Sequence, residues 1–124
     1  MASMTVVQIE STLAGFHGTE EYFRHSLNRN VLWTEGVKFL ADSAGAFWLL
    51  DEIAIANLHQ PSVKNEEFQV WALTLDTEGN GARLSCGDGN GNTVYTQPIP
   101  FTDFPLSSIE LYFENDVIYL PSER

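Results

Sequence analysis

A chain of 124 residues with 44% hydrophobic and 12% aromatic side chains is sized for one domain with its own core, which argues against intrinsic disorder. Seventeen acidic residues against six basic ones leave a formal net charge of −11, spread along the chain: the first 60 residues carry seven acids and three bases, the remainder ten and three. Such a surface repels phosphates and anionic lipid, so direct binding to DNA, RNA or membrane is disfavoured and a basic protein surface is the natural partner.

The opening "MASMTVVQIE" has neither a basic region nor a long apolar segment, so no secretory signal is expected. No later run approaches the roughly 20 apolar residues of a membrane span. The spacing of Val6, Ile9, Leu13 and Phe16 predicts a short amphipathic helix that Gly15 stops. Thr19 is placed to cap a second helix, with Glu20 and Glu21 in its first turn. On that helix Glu21 and His25 are i,i+4 neighbours able to pair, with Arg24 beside them. Thr34 repeats the arrangement ahead of Glu35, and Val37, Leu40, Ala41 and Ala44 form a buried stripe that Gly45 interrupts. "AFWLLDEIAIANLH" (46–59) is the most apolar helix, charged only at Asp51 and Glu52, and is expected to lie centrally on a sheet.

Beyond residue 60 the texture changes to short alternating runs separated by Gly, Asn, Asp and Pro. "FQVWALTL" (68–75) is apolar on both alternating sets, which marks a central strand or one covered on both faces. "ARLSC" (82–86) and "TVYTQPI" (93–99) flank a glycine-rich run, and Pro98 puts the second at an end or an edge. In "PFTDFPL" (100–106), Thr102 and Asp103 favour a turn, with Phe101, Phe104 and Leu106 as its anchors. "SIELYFE" (108–114) points Ile109, Leu111 and Phe113 inward and Glu110, Tyr112 and Glu114 outward. "ND" (115–116) then turns into "VIYL" (117–120). The expected fold is a single α+β domain over residues 1–124. Its helical part (4–59) packs on a C-terminal antiparallel sheet (66–120) of four to five strands.

The run "SCGDGNGNTVY" (85–95) resembles the start of a calcium loop, but counting from Asp88 the sixth position is Thr93, not glycine. The twelfth, which needs a bidentate glutamate, is Ile99. Asp-Gly and Asn-Gly between two strands read instead as a hairpin turn. His17, His25 and His59 lack ligand spacing, so no zinc site is expected. The single cysteine, Cys86, cannot form an internal disulfide and reads as a small core thiol. Together with the missing signal, this points to a cytoplasmic protein. No phosphate-binding, dinucleotide or nucleophile-elbow motif occurs, and no cofactor is expected.

Read together, "F-x-G-T-E-x-Y-x-R-H" (16–25), "T-E-G-V-K-F-L-A" (34–41), "F-W-L-L-D-E-I-A" (47–54), "F-Q-V-W-A-L" (68–73), "F-T-D-F-P-L" (101–106) and "L-P-S-E" (120–123) resemble a family of small uncharacterised bacterial proteins also found on mobile elements and phages. The chain departs from that pattern at Glu35, where aspartate is usual, and at Arg124, where an aromatic residue is. The resemblance implies no activity, cofactor or catalytic residue. It implies a setting in which small acidic proteins sometimes block host defences.

Three readings follow. The first is a non-enzymatic protein-binding domain, acting as a nucleic-acid mimic or anti-defence inhibitor. Its acidic face comprises Glu110, Tyr112, Glu114 and Asp116 with Asp76 and Glu78. No base interrupts the acids between Arg83 and Arg124. The second is a small enzyme or ligand-binding domain using Glu21, Arg24 and His25 with Asp51 or Glu52. The third is a homodimer joined through exposed apolar helix or strand surface.

The hairpin reading makes a direct prediction. Calcium at millimolar concentration should leave the melting temperature unchanged, because the bidentate position is Ile99. A rise of several degrees would show that the loop is a metal site.

Overall fold

The computed structural model describes residues 5–124; residue 4, where the helical part is expected to begin, lies outside them. Thr5 caps helix α1 (Val6–Ala14) reciprocally: its hydroxyl accepts from the Gln8 N–H (3.2 Å), and the Gln8 side chain accepts from the Thr5 N–H (2.8 Å). Ile9 and Leu13 are the residues this helix buries, and Gly15 ends it.

The expected second helix is a strand. Tyr22–Arg24 forms β1, antiparallel to β2 (Leu32–Thr34), with Tyr22 opposite Thr34. The Thr19 hydroxyl donates to the Glu21 carbonyl (2.6 Å) and accepts from the Glu35 N–H (3.0 Å), so it caps no helix of its own. Sheet pairing overrides the local helix signal, because β2 docks in parallel on the last strand of the fold. The Glu21–His25 helix pair therefore does not form.

Helix α2 (Glu35–Ala44) starts where Thr34 accepts from the Val37 N–H (3.2 Å) and ends at Gly45, whose φ of 62° is left-handed. It buries Val37, Leu40, Ala41 and Ala44, as the spacing predicts. Helix α3 (Phe47–His59) buries Leu49, Leu50, Ile53, Ala54 and Ala56, and the single turn α4 (Pro61–Lys64) follows it. No helix among the described residues is long and apolar enough to cross a membrane.

The remaining strands are β3 (Phe68–Leu75), β4 (Ala82–Gly87), β5 (Thr93–Ile99), β6 (Ser108–Glu114) and β7 (Val117–Tyr119), and a 3-10 turn closes the chain at Pro121–Glu123. They form one seven-stranded sheet in the order β1-β2-β7-β6-β3-β4-β5. The class is α+β, but the sheet is larger than expected and mixed. Its N-terminal hairpin joins it through the parallel β2–β7 pair, so the helical half is not purely helical.

Strand β3 is central, between β6 and β4, yet helices cover only one of its faces. The inner set holds Gln69, Trp71 and Leu73, all buried; Phe68, Val70 and Ala72 stay half-buried on the outer face. Gln69 is saturated. Its amide donates to Asn57 Oδ1 (2.8 Å) and the Val63 carbonyl (2.8 Å), and its oxygen accepts from Trp71 Nε1 (2.8 Å). A polar group without water costs little when every bond is made, and this one ties α3 and α4 to the central strand.

Strand β5 is an edge, as Pro98 predicts. Tyr95 pairs with Cys86 and Thr93 with Gly87, leaving Val94 as a bulge, so bulge and proline together blunt the edge. Asn115 (φ 55°) and Asp116 (φ 65°) make the tight β6–β7 turn. Phe104 and Leu106 are buried, but Phe101, at 69% exposure, is not the anchor its spacing implies. The Thr102 N–H is instead held by the Asn80 carbonyl (2.8 Å), which leaves the neighbouring ring outside.

The glycine-rich run is the β4–β5 hairpin. The Asp88 carboxylate accepts from the Asn90 N–H (2.7 Å), the Asn92 N–H (3.2 Å) and the Asn92 amide (2.9 Å). These bonds, the Asn92 side chain first, hold its carboxyl below the usual range. Gly89 (φ 84°) lies against Phe68, where an added Cβ would come within 2.7 Å of the ring; Gly91 (φ 91°) faces open space. Gly91→Ala should therefore cost about 1 kcal/mol from left-handed strain alone. Gly89→Ala should cost clearly more, because it must also displace the ring. Urea unfolding of the two variants compares them; equal losses would place the Phe68 contact elsewhere.

Candidate functional site

The structure divides the polar cluster around His25. Glu21 and Arg24 are exposed, and Arg24 Nη1 donates to the Arg29 carbonyl. His25 turns inward and is only 2% exposed. Its Nδ1 accepts from the N–H groups of Leu27 (3.1 Å) and Asn28 (2.9 Å), so the ring proton sits on Nε2, which donates to Asp51 Oδ1 (2.7 Å). Asn28 reinforces the link by donating to the Ala54 carbonyl (2.9 Å). Both ring nitrogens are committed. The arrangement fastens the 25–31 loop to α3 and leaves no lone pair to take a proton from a substrate. Glu52 faces a different neighbour: its charge, after burial, helps raise the Tyr95 pKa. The cluster 21–25 with 51 and 52 is thus a set of separate contacts, of which His25–Asp51 is one.

The acidic residues of the late strands are also divided. In β6, Glu110, Tyr112 and Glu114 point to the outer face, as alternation predicts. Antiparallel pairing sets Phe68 opposite Glu114 and Thr74 opposite Ser108, so the turn carrying Asp76 and Glu78 lies at the far end of the sheet from Asp116. Those six residues do not form one patch.

Another patch forms in their place. At the Asp116 end, a basin of about 480 Å³ is lined by Glu66, Glu67, Glu114 and Asp116, by Asn28, Asn30, Asn57 and Asn115, and by a single base, Lys64. Its position follows from register: the Phe68–Glu114 pair brings the residues just before β3 alongside the β6–β7 turn. Glu66 and Glu67 escaped the sequence reading because they precede a strand. The doublet "EE" at a strand entry gains meaning only once that strand's partner is known. Four carboxylates against one ammonium suit a cationic side chain, with the asparagines as further acceptors.

On the outer face beside this basin, three rings form a shelf. Tyr112 packs edge-on against Tyr119 (5.7 Å between centroids) and Phe68 (5.2 Å). The Arg124 guanidinium lies 4.3 Å from the Phe68 centroid and 5.6 Å from that of Tyr112. Tyr119 donates to Glu114 Oε1 (3.1 Å), and burial followed by this bond raises its pKa. Glu123 delivers the arginine. Its Oε1 accepts from the Thr34 hydroxyl (2.7 Å) and the Leu120 N–H (2.8 Å), so its carboxylate rests on the first turn of α2, where the helix dipole favours an anion. Gly36 leaves the room: a Cβ there would come within 2.6 Å of Leu120 and 3.0 Å of Glu123.

Residues 7–124 match a family described as "Family of unknown function (DUF6876)". The chain belongs to the DUF6876 family. No curated protein and no solved structure shows a significant match to it. Among the described residues no group of three or more His, Cys, Asp or Glu is arranged to hold a metal ion. Cys86 is fully buried, and burial, with a smaller contribution from Glu66, pushes its thiol up to about 12. At neutral pH it is a core thiol, not a nucleophile.

The His25 geometry sets a stability prediction for this DUF6876 protein. His25→Ala leaves the buried Asn28 N–H and the half-buried Leu27 N–H without their acceptor and should cost about 2–3 kcal/mol. Asp51→Asn retains an acceptor oxygen on a side chain that is 56% exposed, and should cost no more than about 1 kcal/mol. Chemical denaturation measures both; a neutral His25→Ala would mean that the ring does not hold the loop.

Proposed function

We propose that this protein is a non-enzymatic binding domain that receives a basic segment of a partner protein in the carboxylate basin at the Asp116 end of its sheet. The observation that carries this reading is the lining itself, with Glu66, Glu67, Glu114 and Asp116 converging from two chain segments around a single lysine. The net charge of −11 supports it, since long-range attraction would speed encounter with a basic surface and make the complex salt-sensitive. The closed hydrogen bonding of His25 weighs against the competing enzyme reading.

Within that reading we favour the nucleic-acid groove of another protein as the partner surface. The domain would act there as a phosphate mimic, in the manner of an anti-defence inhibitor carried by a mobile element or phage. The sequence pI of about 4.4 and the sequence resemblance support this finer form. Duplex DNA in excess should then displace the domain from a captured partner; failure to compete removes the mimicry and leaves the basin.

A labelled hexalysine peptide tests the basin by fluorescence anisotropy. Binding should weaken steeply with salt. Reversing Glu66→Lys with Glu67→Lys should lower affinity by roughly tenfold or more. Reversing Asp76→Lys with Glu78→Lys changes the net charge equally, but at the far end of the sheet, and should cost less than about threefold. Equal losses from the two pairs would reduce the effect to overall charge and overturn the proposal.

A further inference from the structure

We infer that the aromatic shelf beside the basin is an arginine-reading site, and that Arg124 occupies it as an internal stand-in which a partner's arginine displaces. The inference rests on the proposed basin and names what the partner must carry: guanidinium groups, not simply positive charge. A lysine satisfies a carboxylate basin as a point charge. A planar guanidinium also stacks on rings and hydrogen-bonds to a carboxylate at its edge.

The shelf offers both. Phe68 and Tyr112 supply the faces, as the position of Arg124 at 4.3 Å and 5.6 Å from their centroids shows. Tyr119 continues the row and donates to Glu114. Glu114 and Asn115 line both the basin and a neighbouring hollow that Tyr119 and Arg124 also line, so one basic segment could span the two. Arg124 rests on the two ring faces, with its charge near Tyr119, and among the described residues it forms no ion pair with a carboxylate, while the backbone just before it is clasped through Glu123. The clasp keeps the stand-in close without fixing the guanidinium, so exchange need not unfold the sheet.

The occupant is therefore an arginine-bearing segment of a basic protein. Hexa-arginine and hexalysine peptides, titrated separately into the intact protein, distinguish this from charge alone. Wild-type protein should prefer hexa-arginine. Arg124→Ala should raise hexa-arginine affinity by roughly two- to fivefold, the size of an exposed cation–π contact, and hexalysine affinity by less. Arg124→Lys keeps the charge but stacks more weakly, so it should release the shelf nearly as well as alanine does. Tyr112→Leu should remove the arginine preference while leaving hexalysine binding intact, with a thermal melt confirming that the variant is folded.

If Arg124→Ala strengthens both peptides equally and Arg124→Lys strengthens neither, Arg124 is only a repelling charge and the inference is overturned. A preference for arginine that survives Tyr112→Leu in folded protein also overturns it. Failure of the basin itself reads differently: hexalysine would then be insensitive to reversal of Glu66 and Glu67.

Discussion

The register of β3 against β6 is the constraint on which the rest of this structure depends. Phe68 opposite Glu114 and Ala72 opposite Glu110 fix which side chains face the helices and which face out. A slip of β3 by one residue would send Trp71 and Leu73 to the open face and withdraw Gln69 from Asn57 and Val63. The same register closes the basin from one side and stacks Phe68 on Tyr112 on the other. Core, basin and shelf are three results of a single alignment.

What could be read along the chain was the part set by local periodicity. The stripes of α1 and α2, the central position of β3, the alternation of β6 and both tight turns have causes within a few residues of themselves. The segment 19–25 read as a helix because its capping threonine and acids are local signals. It folds as a strand because β2 finds β7 across more than half the chain. The site suffered in the same way. Glu114 and Asp116 were legible as outward acids, whereas Glu66 and Glu67 join them only through strand pairing. The sequence groups His25 with Glu21, Arg24 and either Asp51 or Glu52, and only the fold pairs it with Asp51 on α3 and not with Glu21.

The charge surplus also shapes how the fold is held. Among the described residues the Lys–carboxylate ion pair is Lys38–Asp42 on the surface of α2, and His25–Asp51 is a hydrogen-bonded pair. Surface pairs of that kind contribute little. Stability rests on apolar burial and on saturated polar contacts such as Gln69, which ionic screening does not weaken. Exposed carboxylates such as those of Glu67 and Asp116 are thus not spent on holding the fold together.

The parallel pairing of β2 with β7 has a kinetic side. Among the described residues the β1–β2 hairpin joins the sheet through β7 alone, so residues 22–34 cannot be incorporated until residues 117–119 exist and have turned back on β6. On a ribosome this early segment must wait, and its local helix preference has that whole interval to express itself. Closing so long a loop carries an entropic cost that only the finished β3–β6–β7 platform can offset. Assembly of the sheet is thus expected to finish as the β1–β2 hairpin docks onto β7.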